Sequence, residues 1–189
     1  MSLTFDSARI PNPHLTEDHL AWRDALRRFI DKEIMPYAED WDEAGHIPIE
    51  LWPQAAEVGL LGAGYPEQYG GMETDSWHNW IINEELSRVG VGGLSASLMV
   101  HGIGLPPVIN WGTEEMKAEI APPVLRGESW ISLGITEPGG GSDVASLKTT
   151  AVRDGDHYVV NGSKTYITGG MRANYVSTAV RTGGEGATG

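Results

Sequence analysis

Arg126-Gly127-Glu128-Ser129-Trp130-Ile131-Ser132-Leu133-Gly134-Ile135-Thr136-Glu137-Pro138-Gly139-Gly140-Gly141-Ser142-Asp143 is where the chain changes character. Upstream, apolar residues recur at steps near three and four, the period of a helix with one buried face. Downstream that period vanishes, and short runs rich in Thr, Val and Tyr alternate with glycines. The switch near residue 128 predicts two domains, 1–128 and 129–189, with all-α organisation before it and an antiparallel β region after it.

Working back from the switch, the helical half has clear punctuation. Thr16 is an N-cap candidate, and Glu17 and Asp18 suit the positive end of a helix. Trp22, Leu26, Phe29, Ile30, Ile34, Tyr37 and Trp41 mark its buried stripe, and Pro36 should kink or end it. A short helix is expected over 49–58, then a Gly- and Pro-containing loop over 59–71. Helix resumes near Asp75 and runs to about Arg88. An uncharged helix follows over 93–110, with Gly112 as its C′ residue and Thr113-Glu114-Glu115 opening the next, which closes by Gly127.

Forward from the switch, strands are expected over 131–136, 148–153, 158–160, 165–168 and 175–181. Asp154-Gly155 and Asn161-Gly162 supply tight-turn signals between them. The chain ends on Gly183, Gly184, Gly186 and Gly189, read as a flexible loop. A sheet ending there leaves an unpaired edge, so the natural protein is expected to continue.

Composition narrows the function. Lys plus Arg number 13 against 26 Asp plus Glu, a formal net charge of -13. Such a surface repels phosphate backbones and argues against nucleic acid as a partner. With no cysteine in the chain, disulfides, Cys-based zinc sites and thiol nucleophiles are excluded. This agrees with a reducing compartment, and the cytoplasm is the expected location. No signal peptide pattern opens the chain. The uncharged run over 89–111 carries Gly90, Gly92, Gly93, Gly102, Gly104, Pro106 and Pro107, besides Ser95, Ser97, His101 and Asn110. It is too broken and polar for lipid, so a helix buried in protein is expected rather than membrane insertion.

Several motifs fail on inspection. Gly62-Ala63-Gly64 opens like a dinucleotide fingerprint, but Glu67 stands at its sixth position and Tyr65-Pro66 would stop the required helix. Gly102-Ile103-Gly104 fails likewise at Pro107. The six histidines fall in no recognised metal-ligand spacing, and Asp40, Asp42, Glu43 and His46 read as an exposed acidic helix end. Nothing specifies a Ser-His-Asp triad.

The stretch 134–143 is different. Its three consecutive glycines let a ligand approach the backbone. Successive N–H groups in such a loop can form a nest for an anion such as pyrophosphate, with Thr136 and Ser142 adding hydroxyls. A plain surface loop is the competing reading.

Ile135-Thr136-Glu137-Pro138-Gly139-Gly140-Gly141-Ser142-Asp143-Val144 resembles the signature of the acyl-CoA dehydrogenase family. Tyr65-Pro66-Glu67-Gln68-Tyr69-Gly70-Gly71 resembles that family's loop between early helices. Asn161-Gly162-Ser163-Lys164-Thr165-Tyr166-Ile167-Thr168-Gly169 resembles its second flavin motif, in which Trp usually stands where Tyr166 does and Asn where Gly169 does. The resemblance implies an N-terminal helical bundle followed by a flavin-binding β domain. The family's C-terminal helical domain has no counterpart within 1–189.

Carried across residue by residue, the resemblance implies FAD as cofactor, held by Leu133, Gly134, Ile135, Thr136, Gly139, Gly140, Gly141 and Ser142, and by Tyr166, Ile167 and Thr168. Thr136 would bond the flavin ring, Gly141 and Ser142 the pyrophosphate, Tyr166 would stack on the ring, and Thr168 would sit near N5. Ser142 would also lie near the acyl-CoA. Ser95, Leu98, Met99 and Gly102, at helical spacing, become candidates for the acyl-pocket floor, with ordinary core packing as the equal alternative. The implied reaction is α,β-dehydrogenation of an acyl-CoA thioester to trans-2-enoyl-CoA, with electrons passed to an electron-transferring flavoprotein by a homotetramer. The family's catalytic Glu belongs to the C-terminal domain, so no catalytic base is assigned here, and residues 1–189 alone are expected to be inactive. Glu84 and Glu85 read as helix-packing or salt-bridge residues and Glu137 as part of the loop motif. Two alternatives stand beside this: an acyl-CoA oxidase or flavin monooxygenase of the same fold, and a truncated, non-catalytic binding or assembly module.

Overall fold

The structure is a computed structural model and describes residues 10–184 and 186; Gly189 of the terminal glycine loop lies outside them. The first helix, α1 (Glu17–Phe29), starts where Thr16 predicts. The Thr16 side chain accepts the His19 N–H, and the His19 ring accepts the Thr16 N–H, a reciprocal capping box with His in place of the usual Glu or Gln. A π-helical stretch, Ile30–Ile34, follows, with the Met35 N–H reaching back to Ile30 O at 2.8 Å. This widened turn precedes Pro36, which cannot donate a backbone hydrogen bond, and α2 (Ala38–Ala44) begins just after it.

The short helix over 49–58 is α3 (Leu51–Glu57). Next, α4 (Ser76–Ser87) is capped by the Asp75 carboxylate, which accepts the N–H groups of Trp77 and His78. Helices α1 and α4 lie together around a charged knot. Glu85 is wholly buried. It accepts Arg27 Nε at 2.9 Å and a second Arg27 nitrogen at 2.8 Å, and Arg88 at 3.1 Å. Arg88 also reaches Asp31 at 2.8 Å, and Arg23 reaches Glu84 at 3.2 Å. Both glutamates thus bind helix to helix.

The single uncharged helix expected over 93–110 is three short ones: α5 (Gly92–Leu98), α6 (His101–Gly104) and α7 (Pro106–Trp111). The α5 segment meets the α6–α7 run at a bend of 51°. Pro106 can open α7 but cannot continue α6, and the turn at Met99–Val100 already breaks the register. Gly112 does end α7, with extended rather than left-handed backbone (φ -69°, ψ 160°). No single helix among the described residues is long and apolar enough to cross a membrane. The last helix, α8 (Glu114–Leu125), is capped by Thr113 as expected.

Four strands follow among the described residues: β1 (Ile131–Gly134), β2 (Thr150–Asp154), β3 (His157–Asn161) and β4 (Tyr175–Thr178). β2 and β3 form the antiparallel hairpin that Asp154-Gly155 signals, with Asp154 opposite His157. The wholly antiparallel expectation needs correction: β1 and β4 pair in parallel, Ile131 opposite Tyr175 and Gly134 opposite Thr178. A parallel pair requires a long crossover, and residues 135–174 supply it. Nor is 165–168 a strand. Tyr166 has φ +56° and Gly169 φ +71°, left-handed values that a pleated strand does not hold.

The two parts meet at α6 and β1. A Cβ on Gly104 would lie 2.8 Å from Ile131 O, so only glycine lets the helix backbone rest on the strand. Ser177 of β4 adds a bond from its hydroxyl to Gly104 O at 2.7 Å. This contact fixes β1, and therefore the glycine loop that follows it, against the helical part.

Candidate functional site

The glycine loop leaves β1 and turns back on itself at once. Glu137 and Gly140 exchange two backbone bonds, 2.9 and 3.1 Å, closing a tight turn through Pro138 and Gly139. Beyond it, no acceptor among the described residues takes the N–H of Gly141, Ser142 or Asp143. The Asp143 carboxylate is instead engaged by the Ser146 hydroxyl at 2.6 Å. A Cβ at Gly139 or Gly140 would meet nothing within 4 Å, whereas one at Gly141 would touch Thr136 Cγ2 at 3.3 Å. Three successive backbone donors are thus left without an acceptor beside an open glycine surface.

The second motif lies beside the first. Thr165 N–H donates to Thr136 O at 2.9 Å, and Lys164 Nζ donates to Ile135 O at 2.9 Å. Ser132, buried in β1, donates to Thr168 O at 2.7 Å. Segments 132–137 and 164–169 therefore run side by side. Tyr166 is 92% exposed, so its ring stands free of the protein and presents an aromatic face. The hydroxyls of Thr136 and Thr168 form no hydrogen bond among the described residues. Gly169 is left-handed, a conformation that Asn tolerates better than other side-chain-bearing residues. The Gly that stands where the resemblance places Asn thus meets the same backbone requirement.

The bend between α5 and α6 divides the acyl-pocket candidates. Leu98 is wholly buried in the helical core with Leu94, Ile82 and Leu86, so it packs inward rather than lining an open pocket. Ser95 and Met99 are partly exposed. Gly102 lies past the bend, on α6, with open space where its Cβ would be. The helical spacing that linked the four assumed an unbroken helix.

A cavity of about 400 Å³ lies between α2, α3, α5 and residues 167–172. Trp41, Trp52 and Trp130 are among its walls, and Ile167 is the one expected site residue on it. Two clusters invisible to linear spacing also appear. His19, Asp75 and His78 bring ligand-type atoms within 4.8 Å of one another. The Thr16 N–H donates to His19 Nδ1 at 3.0 Å, which leaves the proton on Nε2 to donate to Asp75 at 3.0 Å. With His78 and two backbone N–H groups also on Asp75, the set is satisfied as a helix-cap network. These donors hold the Asp75 carboxyl well below the usual range, His78 contributing most. The second cluster centres on Glu137, buried at the base of the glycine loop.

Comparison with known proteins agrees with this geometry. The model for the acyl-CoA dehydrogenase N-terminal domain matches residues 16–128, and that for the middle domain of the same family matches 132–189. The chain belongs to the acyl-CoA dehydrogenase family. An acyl-CoA dehydrogenase of Alternaria alternata is 37% identical over 197 aligned positions, covering 96% of this chain and 46% of that protein. The structure of an acyl-CoA dehydrogenase from Geobacillus kaustophilus superposes with TM-score 0.83 at 39% identity, over 91% of this chain and 45% of that one. A glutaryl-CoA dehydrogenase from Mycobacterium smegmatis, solved in complex with FADH2, superposes at 0.83 and 30% identity, over 89% and 43%. The chain thus spans a little under half the length of these relatives.

Proposed function

We propose that this chain is the helical and flavin-cradling part of an FAD-dependent acyl-CoA dehydrogenase, which converts an acyl-CoA thioester to the trans-2-enoyl-CoA. The observation that carries this reading is the pairing of the two motifs. An open nest of N–H groups at 141–143 and a free aromatic face at Tyr166 stand on adjacent segments, with two unengaged threonine hydroxyls between them. That set fits a long cofactor with an anionic middle and a flat ring at one end. FAD, when bound, supplies the hydride acceptor for the substrate's β-hydrogen. The chain's own residues bind and orient it: Gly141 and Ser142 at the pyrophosphate, Thr136 and Thr168 at the ring edge, Tyr166 against its face. Leu133, Gly134 and Ile135 form the wall from which the loop departs. Ser95, Met99 and Gly102 stay with the acyl-pocket proposal, and Ser142 with the acyl-CoA contact; Leu98 serves the core.

The proposal extends to an electron-transferring flavoprotein as acceptor, a homotetrameric assembly and a cytoplasmic location. The protein carrying all three family domains tests it. Incubation with a series of acyl-CoA thioesters and an electron-transferring flavoprotein should yield enoyl-CoA, with little product when O2 is the sole acceptor. Rapid turnover with O2 would move the assignment to an acyl-CoA oxidase, and absence of any enoyl-CoA would remove the dehydrogenase reading.

A further inference from the structure

Glu137 lies within the first cofactor motif, yet its carboxylate turns away from the loop surface and is buried, 8% exposed. Oε1 accepts the Thr149 N–H at 2.9 Å, the Thr149 hydroxyl at 2.6 Å and Lys164 Nζ at 2.9 Å. Oε2 accepts the Lys148 N–H at 2.7 Å. Lys164 is itself mostly buried and spends a second N–H on Ile135 O at 2.9 Å. Three stretches far apart in sequence, 135–137, 148–149 and 164–165, are therefore tied at one point. Thr136 and Glu137 are consecutive, and Lys164 precedes Tyr166 by two residues and Thr168 by four.

We propose that Glu137 and Lys164 are positioning residues for the flavin: their ion pair sets the spacing between the loop that takes the pyrophosphate and the segment that takes the ring. The inference rests on the flavin reading of both segments. A loop with three glycines has little stiffness of its own, and the Glu137–Gly140 turn constrains it only locally. A carboxylate with four donors has one low-energy placement, and it carries that definition to both motifs at once. Stability alone does not call for a charged pair here, because a buried ion pair is often matched by apolar residues of similar volume. The donors around Glu137 also hold its carboxyl well below the usual range, the Thr149 hydroxyl first and Lys164 next. Glu137 therefore stays ionised across the physiological range.

The test uses the three-domain protein, with FAD itself as probe. Glu137→Gln and Lys164→Met should each raise the FAD dissociation constant about tenfold, the order expected for losing a charged hydrogen bond. The two should shift the flavin potential in opposite directions, because one removes a negative and the other a positive charge. The double replacement Glu137→Leu with Lys164→Met should recover the melting temperature but not the FAD affinity. Recovery of both together would mean that the pair only stabilises the fold, and would overturn the proposal. Should the double variant not fold, Thr149→Val decides: it removes one donor at nearly constant volume. Weaker FAD binding with a shifted visible flavin band supports positioning, and an unchanged band and affinity overturn it. An unaltered protein that binds no FAD would instead defeat the underlying flavin reading.

Discussion

The helical and the sheet parts of this molecule are built to different degrees of closure. Almost every buried apolar side chain belongs to the helical part, where one cluster runs from Leu26 to Leu98 and a second surrounds Leu105 and Val124. In the sheet part only Ile131 and Ala151 are buried apolar residues among those described. All five residues of β3 are exposed, and Val152, Tyr158, Val159 and Val160 stand in solvent among the described residues. Polar contacts hold the sheet part instead: Glu137 and Lys164, Arg181 to Leu147 O, and Ser132 to Thr168 O. Apolar packing makes a self-contained body of the first part. The second keeps backbone donors, hydroxyls and an aromatic ring open, which suits a surface meant to be covered by a cofactor and further protein.

The sharpest way to break this contrast is at Glu85. Its removal by Glu85→Ala leaves Arg27 and Arg88 without their buried counter-charge, and the loss should be about 3–5 kcal/mol. Urea denaturation measures it; a loss near zero would mean that the buried charge of Glu85 adds nothing to the packing of α1 on α4.

His101 comes next. Burial pushes its imidazole down to about 4 from 6.5, while Nε2 bonds Leu61 O at 3.0 Å. The unfolded chain therefore binds the proton more readily between those values. The stabilising contribution is complete above the unfolded value and is lost as pH falls toward the folded one, by roughly 3 kcal/mol. Stability curves of the protein and of His101→Gln over pH 7 to 4 should converge toward the acid end, and parallel curves would remove His101 from the acid response.

In the sheet part the effects shrink. Gly169→Ala forces a left-handed alanine and should cost about 1–2 kcal/mol, with Gly169→Asn costing less. Equal losses for the two would show that space beside Ser132, not backbone conformation, governs the position. Val159→Ala, on the open face of β3, should stay within about 0.5 kcal/mol in the 189-residue chain. A loss as large as that of a core substitution would show that the hairpin is already covered.

The same division explains what the sequence revealed. Helix starts were legible because capping is local: Thr16, Asp75 and Thr113 act on residues two or three places away. The hairpin was legible from Asp154-Gly155 for the same reason. The parallel pairing of β1 with β4 was not, since it joins residues 44 apart and leaves no periodic trace. Thr165 to Thr168 carried β-branched and aromatic residues, yet the positive φ at Tyr166 takes them out of the strand. The break between Leu98 and His101 was hidden because an uncharged run gives no change of polarity at the bend, so Gly102 was joined to one helical stripe with Ser95, Leu98 and Met99. The two motifs that carry the family resemblance were legible because each is a contiguous run of residues. Their fastening could not, because Glu137 and Lys164 stand 27 residues apart.

The most direct test of the account is at Thr168. Its hydroxyl has no partner among the described residues, and the proposal gives it the flavin ring. The flavin-loaded three-domain protein and its Thr168→Val variant are mixed anaerobically with acyl-CoA, and the visible flavin band is followed in time. The account predicts rapid bleaching in the first and bleaching slower by about tenfold or more in the variant, with the fold and FAD content unchanged. Identical rates would take Thr168 out of the site, and failure of either protein to bleach would contradict the cradle formed by the two motifs.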